Sequence, residues 1–236
     1  MTDSDLKWHV DVDREQTTAL FEPAAAGNAK ALYVCAHGAG GHMADRGMNA
    51  IADLLRARGI DIVRFNFLYR EKGCGPPDSM ARLQACLKAV MSRARSELRP
   101  RTLIIGGRSM GGRAASMLAA AGTDCDALLL FAYPLHPAGK PERLRDAHLP
   151  QIRVPVLCFN GTRDALCRRD LMERVIKSVA APWHMHWVEG ADHAFHVLKA
   201  SGRTDDQVLQ EIGDVSEGWL SRLPDEILAS RGERQS

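Results

Sequence analysis

No apolar run in the chain approaches the ~20 residues needed to cross a bilayer. The opening stretch, MTDSDLKWHVDVDRE, has no apolar core and so does not read as a secretory signal. No two cysteines follow the Cys-x-x-Cys spacing, which argues against a zinc ribbon or a thioredoxin-type site. An excess of one charge is missing too. The 31 Lys+Arg residues against 29 Asp+Glu give a formal charge of +2. That balance leaves no electrostatic footprint for nucleic acid or for an anionic membrane. Internal repeats and low-complexity linkers are absent. The expectation from these absences is a cytoplasmic protein with reduced cysteines. Cys35 and Cys158 sit inside apolar runs and read as buried thiols, while Cys74, in Gly-Cys-Gly-Pro-Pro, could be exposed.

What is present suits a globular chain. At 236 residues and 45% hydrophobic content it can bury a sizeable core without metals or disulfides. Six short runs are almost continuously apolar: residues 31–36, 60–67, 102–107, 126–133, 154–161 and 184–190. Such runs suit strands covered on both faces, as in a parallel sheet. Helical periodicity lies between them. Met48, Ile51, Ala52 and Leu55 repeat at i, i+3, i+4 and i+7, and Gly59 stops them. Leu83, Leu87, Val90, Ala94 and Leu98 do the same, with Asp78 read as the N-cap and Pro100 as the end. Ala114, Met117, Leu118 and Ala121 form a small-residue helix, and further helices follow Asp170, also read as a cap, and Thr204-Asp205. Arg93, Arg95, Arg99 and Arg101 gather at one helix end, where cations suit the dipole and solvent.

Alternating strand and helix predicts one α/β domain over residues 1–236, with a mostly parallel central sheet and helices on both faces. Residues 1–29 are expected to add antiparallel edge strands. Residues 134–153, rich in proline and polar side chains, are expected to form a loop over the site, with no large lid domain.

The strongest chemical signal is Gly107-Arg108-Ser109-Met110-Gly111. It fits G-x-S-x-G, directly follows a strand and directly opens a helix, the context a nucleophile elbow demands. Glycines flank the serine where the turn leaves no room for side chains, and the helix N-terminus behind it favours developing negative charge. A serine hydroxyl needs a base. His193, after the last strand run, fits that role. Asp164, after Gly161, fits as the acid that orients the imidazole. The order Ser, Asp, His is the one that accompanies such an elbow. Asp192 adjoins His193 but reads as a turn residue. His184 and His186 share a strand face and, with His193 and His196, suggest a metal site, yet no cysteine or glutamate completes the cluster. His42, His136 and His148 read as surface or loop residues. The run His37-Gly38-Ala39-Gly40-Gly41 reads as an oxyanion loop, with the backbone N–H of Ala39 as one donor and that of Met110 as the other. It matches neither phosphate-loop pattern.

With HGAGG, GGRSMGG, GTRD and ADHAF in this order, the sequence resembles the α/β-hydrolase superfamily over roughly residues 30–200. It looks closest to a small, lidless, dienelactone-hydrolase-like branch, which includes uncharacterised bacterial hydrolases and the hydrolase-like domains of some eukaryotic chromatin-complex subunits. Asn66-Phe67-Leu68-Tyr69-Arg70-Glu71 and Tyr133-Pro134-Leu135-His136-Pro137 share in the resemblance. Ser109 stands where dienelactone hydrolase itself has cysteine, so that enzyme's chemistry is not carried over. The resemblance implies attack by Ser109 on a carbonyl carbon of a small ester or thioester, with no cofactor and no metal. Arg108 and Arg113 bracket the elbow and Arg70 lies in another mouth loop; all three would suit an acidic substrate, but solubility is the simpler account. A non-catalytic interaction module that kept the fold is the alternative. An apolar patch on an edge strand would support a homodimer, but the sequence shows none.

Overall fold

The computed structural model describes residues 6–73 and 75–232, so Cys74 lies outside the described residues. Each apolar run read from the sequence is a strand. After β1 (Leu6–Val12) and β2 (Glu15–Glu22) come β3 (Ala31–Ala36), β4 (Ile60–Phe65), β5 (Leu103–Arg108), β6 (Ala127–Phe131), β7 (Val156–Gly161) and β8 (Trp183–Val188). They form one eight-stranded sheet in the order β1-β2-β4-β3-β5-β6-β7-β8. β1 and β2 pair antiparallel, as do β2 and β4, and the other neighbours run parallel. The N-terminal segment thus supplies the antiparallel edge.

The helices sort by their apolar faces. α1 (Arg46–Arg56) and the long α6 (Asp205–Gly232) cover one side of the sheet. There Met48, Leu55, Ile212 and Trp219 pack on Tyr33, Ile104 and Phe159. The short α2 (Leu68–Glu71), α3 (Met80–Leu98), α4 (Met110–Ala120) and α5 (Arg169–Ile176) belong to the other side. There Leu87, Val90, Ala115 and Met172 meet Val34, Ile105, Leu130 and Cys158. Burying one such Leu, Ile or Phe side chain stabilises by about 1.5–3 kcal/mol.

Two helix starts differ from the sequence reading. Ser79, not Asp78, caps α3, its side chain accepting from the Arg82 N–H. Asp78 instead accepts the Tyr69 N–H at 3.0 Å, which fixes α2. Arg168 is the cap residue of α5, and Asp170 sits inside its first turn, paired with Arg168. At α6 the Thr204 hydroxyl accepts from the Gln207 N–H while the Gln207 side chain accepts from the Thr204 N–H. That reciprocal box satisfies two otherwise orphaned donors.

Strand order positions the site. From β3 the chain passes to β4 on one side, then returns to place β5 on the other. The two connections lie on opposite faces, so a crevice opens beyond the C-terminal ends of β3 and β5. Ala36, the last residue of β3, pairs with Gly107 of β5. The glycine loop and the elbow therefore leave the sheet side by side.

Candidate active site

Ser109 joins β5 to α4 with φ 52° and ψ −114°, a left-handed backbone that few L-residues adopt. Gly107 has φ 143°, and a Cβ there would meet the backbone of Ala36; a Cβ at Gly111 would meet Ala36 and His37. Both glycines are therefore fixed by the close approach of β3 to the turn. The Ser109 N–H donates to the Phe131 carbonyl at 2.8 Å, which ties the strained turn to β6.

His193 comes from the loop after β8. Ala191 and Val197 pair as a small bridge, and Asp192 Oδ1 accepts from the N–H groups of Ala194 and His196 at 2.8 and 3.0 Å. Asp192 is thus a turn residue, and it presents His193 outward. The His193 carbonyl accepts a bond from Arg108 Nη2 at 3.3 Å, clasping this loop to the elbow.

Asp164 follows β7, and its side chain is wholly shielded from solvent. Oδ1 accepts from the Leu166 N–H at 2.8 Å, and Oδ2 accepts from Asn160 Nδ2 at 3.1 Å. Oδ2 also lies 2.8 Å from His193 Nδ1. The other ring nitrogen, Nε2, lies 2.9 Å from Ser109 Oγ. A buried carboxylate must be paired and hydrogen-bonded, and this one meets three donors. With Nδ1–H donating to Asp164, Nε2 is left to accept the serine proton.

The glycine loop is held from behind. His37 is buried; its Nδ1 donates to the Gly38 carbonyl at 2.7 Å and its Nε2 accepts the Phe67 N–H at 3.1 Å. Burial pulls its pKa down to about 4, so the ring is neutral, as accepting at Nε2 requires. Tyr69 OH donates to the Ala39 carbonyl and Arg70 Nε to the Gly41 carbonyl, each at 2.8 Å. The Gly38 carbonyl also accepts the Gly41 N–H. Across a trans peptide the Ala39 N–H points opposite to that occupied carbonyl, away from the His37 ring. Met110 is the first residue of α4, so its N–H has no acceptor within the helix.

Ser109 opens on two cavities. One, of about 570 Å³, is lined by Gly40, Gly41, His42, Arg108 and His193. The other, of about 500 Å³, is lined by Met110, Arg113, Pro134, Pro137, Ala138 and Arg145. Residues 134–153 therefore do border the serine.

Four histidines depart from the sequence reading or extend it. His136 is 2% exposed rather than on the surface, its Nε2 accepting the Arg168 N–H. His148 is half-buried and bonded to Ser116 Oγ at 2.8 Å. His184 and His186 do share a face, but α6 brings Glu226 and Glu211 against them at 2.9 and 2.7 Å, glutamates too remote in sequence to be matched to them. Among the described residues, no group of three or more His, Cys, Asp or Glu side chains is placed to hold a metal ion. Sequence reasoning missed His37 as a loop support and Asn160 as the partner of Asp164. The one available signal for Asn160 was a lone amide inside the apolar run of β7.

A mostly parallel sheet in this order, with a serine on the turn after its fifth strand, defines the alpha/beta hydrolase class. The chain belongs to the alpha/beta hydrolase domain family, whose sequence profile matches residues 29–221. Among solved structures it is similar to an alpha-beta serine hydrolase homologue from Coxiella burnetii, with a TM-score of 0.72 and 19% identity over 91% of this chain and 96% of that one. It is similar also to a serine hydrolase without a lid from Xanthomonas campestris, with a TM-score of 0.68 and 20% identity over 94% of each chain. A dienelactone hydrolase from Anabaena variabilis matches with a TM-score of 0.71 and 16% identity, over 93% of this chain and 97% of the other. At these identities the likeness is one of fold. No described helix is long and apolar enough to cross a membrane.

Proposed function

We propose that the protein is a cytoplasmic serine hydrolase that cleaves a carboxylic ester or thioester through an acyl-enzyme on Ser109. The observation that carries this reading is the unbroken relay from Ser109 Oγ to His193 Nε2, 2.9 Å, and from His193 Nδ1 to Asp164 Oδ2, 2.8 Å. Ser109 Oγ forms a bond to the carbonyl carbon as its proton passes to His193 Nε2. The carbonyl oxygen becomes an oxyanion facing the N–H groups of Met110 and Ala39; losing one such donor costs about 10²–10³ in rate. Collapse breaks the bond to the alcohol or thiol, which leaves with the proton from His193. Water then gives a proton to His193 as it attacks the acyl carbon, and the bond to Ser109 Oγ breaks as His193 returns that proton to Oγ, releasing the acid and restoring the serine. Asp164 holds the imidazole in the tautomer this cycle needs and stabilises its positive form. The steps call on no cofactor or metal.

A fluorophosphonate probe tests the activated serine. Wild type is expected to be labelled and Ser109→Ala to be unlabelled. A panel of p-nitrophenyl esters should be turned over by the first protein and not the second. A folded wild type that resists the probe, or turnover that survives in Ser109→Ala, would sink the reading.

A further inference from the structure

The cavity beside Met110 carries positive charge that ester cleavage does not need. Arg113 stands on α4 one turn beyond Ser109, its N–H bonded to the Ser109 carbonyl. Arg145 arrives from the 134–153 segment. Both line the same cavity as Ser109. Among the described residues neither guanidinium lies within ion-pairing distance of a carboxylate, and Arg113 Nε is buried without a hydrogen-bond partner. Asp78 also borders the cavity, but it is engaged by the Tyr69 N–H and by Arg82, 3.2 Å away.

The position of Arg145 is built in. Its N–H donates to the Leu135 carbonyl at 2.7 Å, and its own carbonyl accepts from Tyr133 OH at 3.1 Å. His148 pins the same segment to α4 through Ser116. Burial and the Arg113 charge pull His148 down to about 4, and Arg145 is lowered from its ordinary value by burial and by Arg113. Two guanidiniums that repel each other across a cavity destabilise the fold unless an anion joins them. Each also offers a planar fork that matches a carboxylate.

The two cavities divide the substrate between them. His193 must hand a proton to the departing oxygen or sulfur, so the leaving group exits on the side that His193 lines. The acyl chain then lies in the other cavity, towards the arginines.

We infer that Arg113 and Arg145 bind a carboxylate at the far end of the acyl chain, so that the substrate is a half-ester or half-thioester of a dicarboxylic acid. This rests on Ser109 being the nucleophile. It is tested with mono-p-nitrophenyl adipate against p-nitrophenyl hexanoate, whose six-carbon chains differ at the terminal group. Wild type should favour the adipate in kcat/KM by about tenfold to a hundredfold, the worth of a charge-assisted bond. That ratio should fall at least about tenfold in Arg113→Gln and in Arg145→Gln, and with added salt. Adipate titrated calorimetrically into wild type should bind, and both variants should weaken it by a similar factor.

Equal turnover of the two esters by wild type, or a preference kept in both variants, overturns the carboxylate site and leaves Ser109 standing. A wild type that cleaves neither ester but binds adipate through the two arginines supports the site and overturns the hydrolytic reading. Neither turnover nor adipate binding overturns both.

Discussion

A neutral imidazole carries one proton, and its neighbours decide which nitrogen holds it. At His193 that decision belongs to Asp164, an obligate acceptor fixed by Asn160 and by the Leu166 N–H. Asp164→Asn keeps the shape but offers His193 Nδ1 an N–H. The ring then takes the other tautomer, and Nε2 no longer accepts from Ser109. The expected result is a fall in kcat of about 10³–10⁴ with an unchanged circular-dichroism spectrum; near-normal turnover would mean that another acid does this work. The residues of this relay were legible because each follows a strand and each has a type that chemistry demands. Asn160 and His37 were not. Their roles depend on which strands become neighbours, and a single sequence shows no such pairing. Arg145 was hidden for a related reason, since nothing near it in sequence says that its loop folds back onto α4.

Elements were legible wherever apolar residues recur with a clear period, and the strand runs needed only trimming at their ends. Caps were less so. Asp78 and Asp170 have the right chemistry for capping, but each found a tertiary or neighbouring partner, and Ser79 and Arg168 took the first positions. Between elements, one buried ion pair stands out. Arg64 of β4 meets Glu22 of β2 through two bonds, 2.6 and 2.8 Å long, with both side chains nearly inaccessible. The same guanidinium bonds to the Met43 carbonyl and the Asn49 side chain, so it joins the antiparallel edge both to the stretch after the glycine loop and to α1 itself. Glu22→Gln leaves that charge buried against a neutral amide. Unfolding in urea should show a loss near the lower end of about 3–5 kcal/mol, the range for breaking a buried pair. A change under 1 kcal/mol would show that solvent reaches the arginine.

For the whole molecule, acid sensitivity follows from His37. Its pKa is about 4 when folded against 6.5 for the free side chain. Between those values the unfolded chain binds a proton that the folded chain refuses, so stability falls as pH drops from 6.5 towards 4. The full contribution is about 3 kcal/mol, from 1.36 kcal/mol per pKa unit. His148 acts in the same direction. Denaturation midpoints from pH 7 to 4.5 should decline more steeply in wild type than in His37→Gln; parallel declines would show that His37 is not the group responsible. The order of strands has one more consequence. The serine, the carboxylate and the imidazole follow β5, β7 and β8, and 84 residues separate the first of them from the last. A growing chain on the ribosome therefore carries Ser109 long before it carries His193. On the proposed mechanism, a nascent chain or released fragment that stops short of His193 holds an unactivated serine and cannot attack the esters around it.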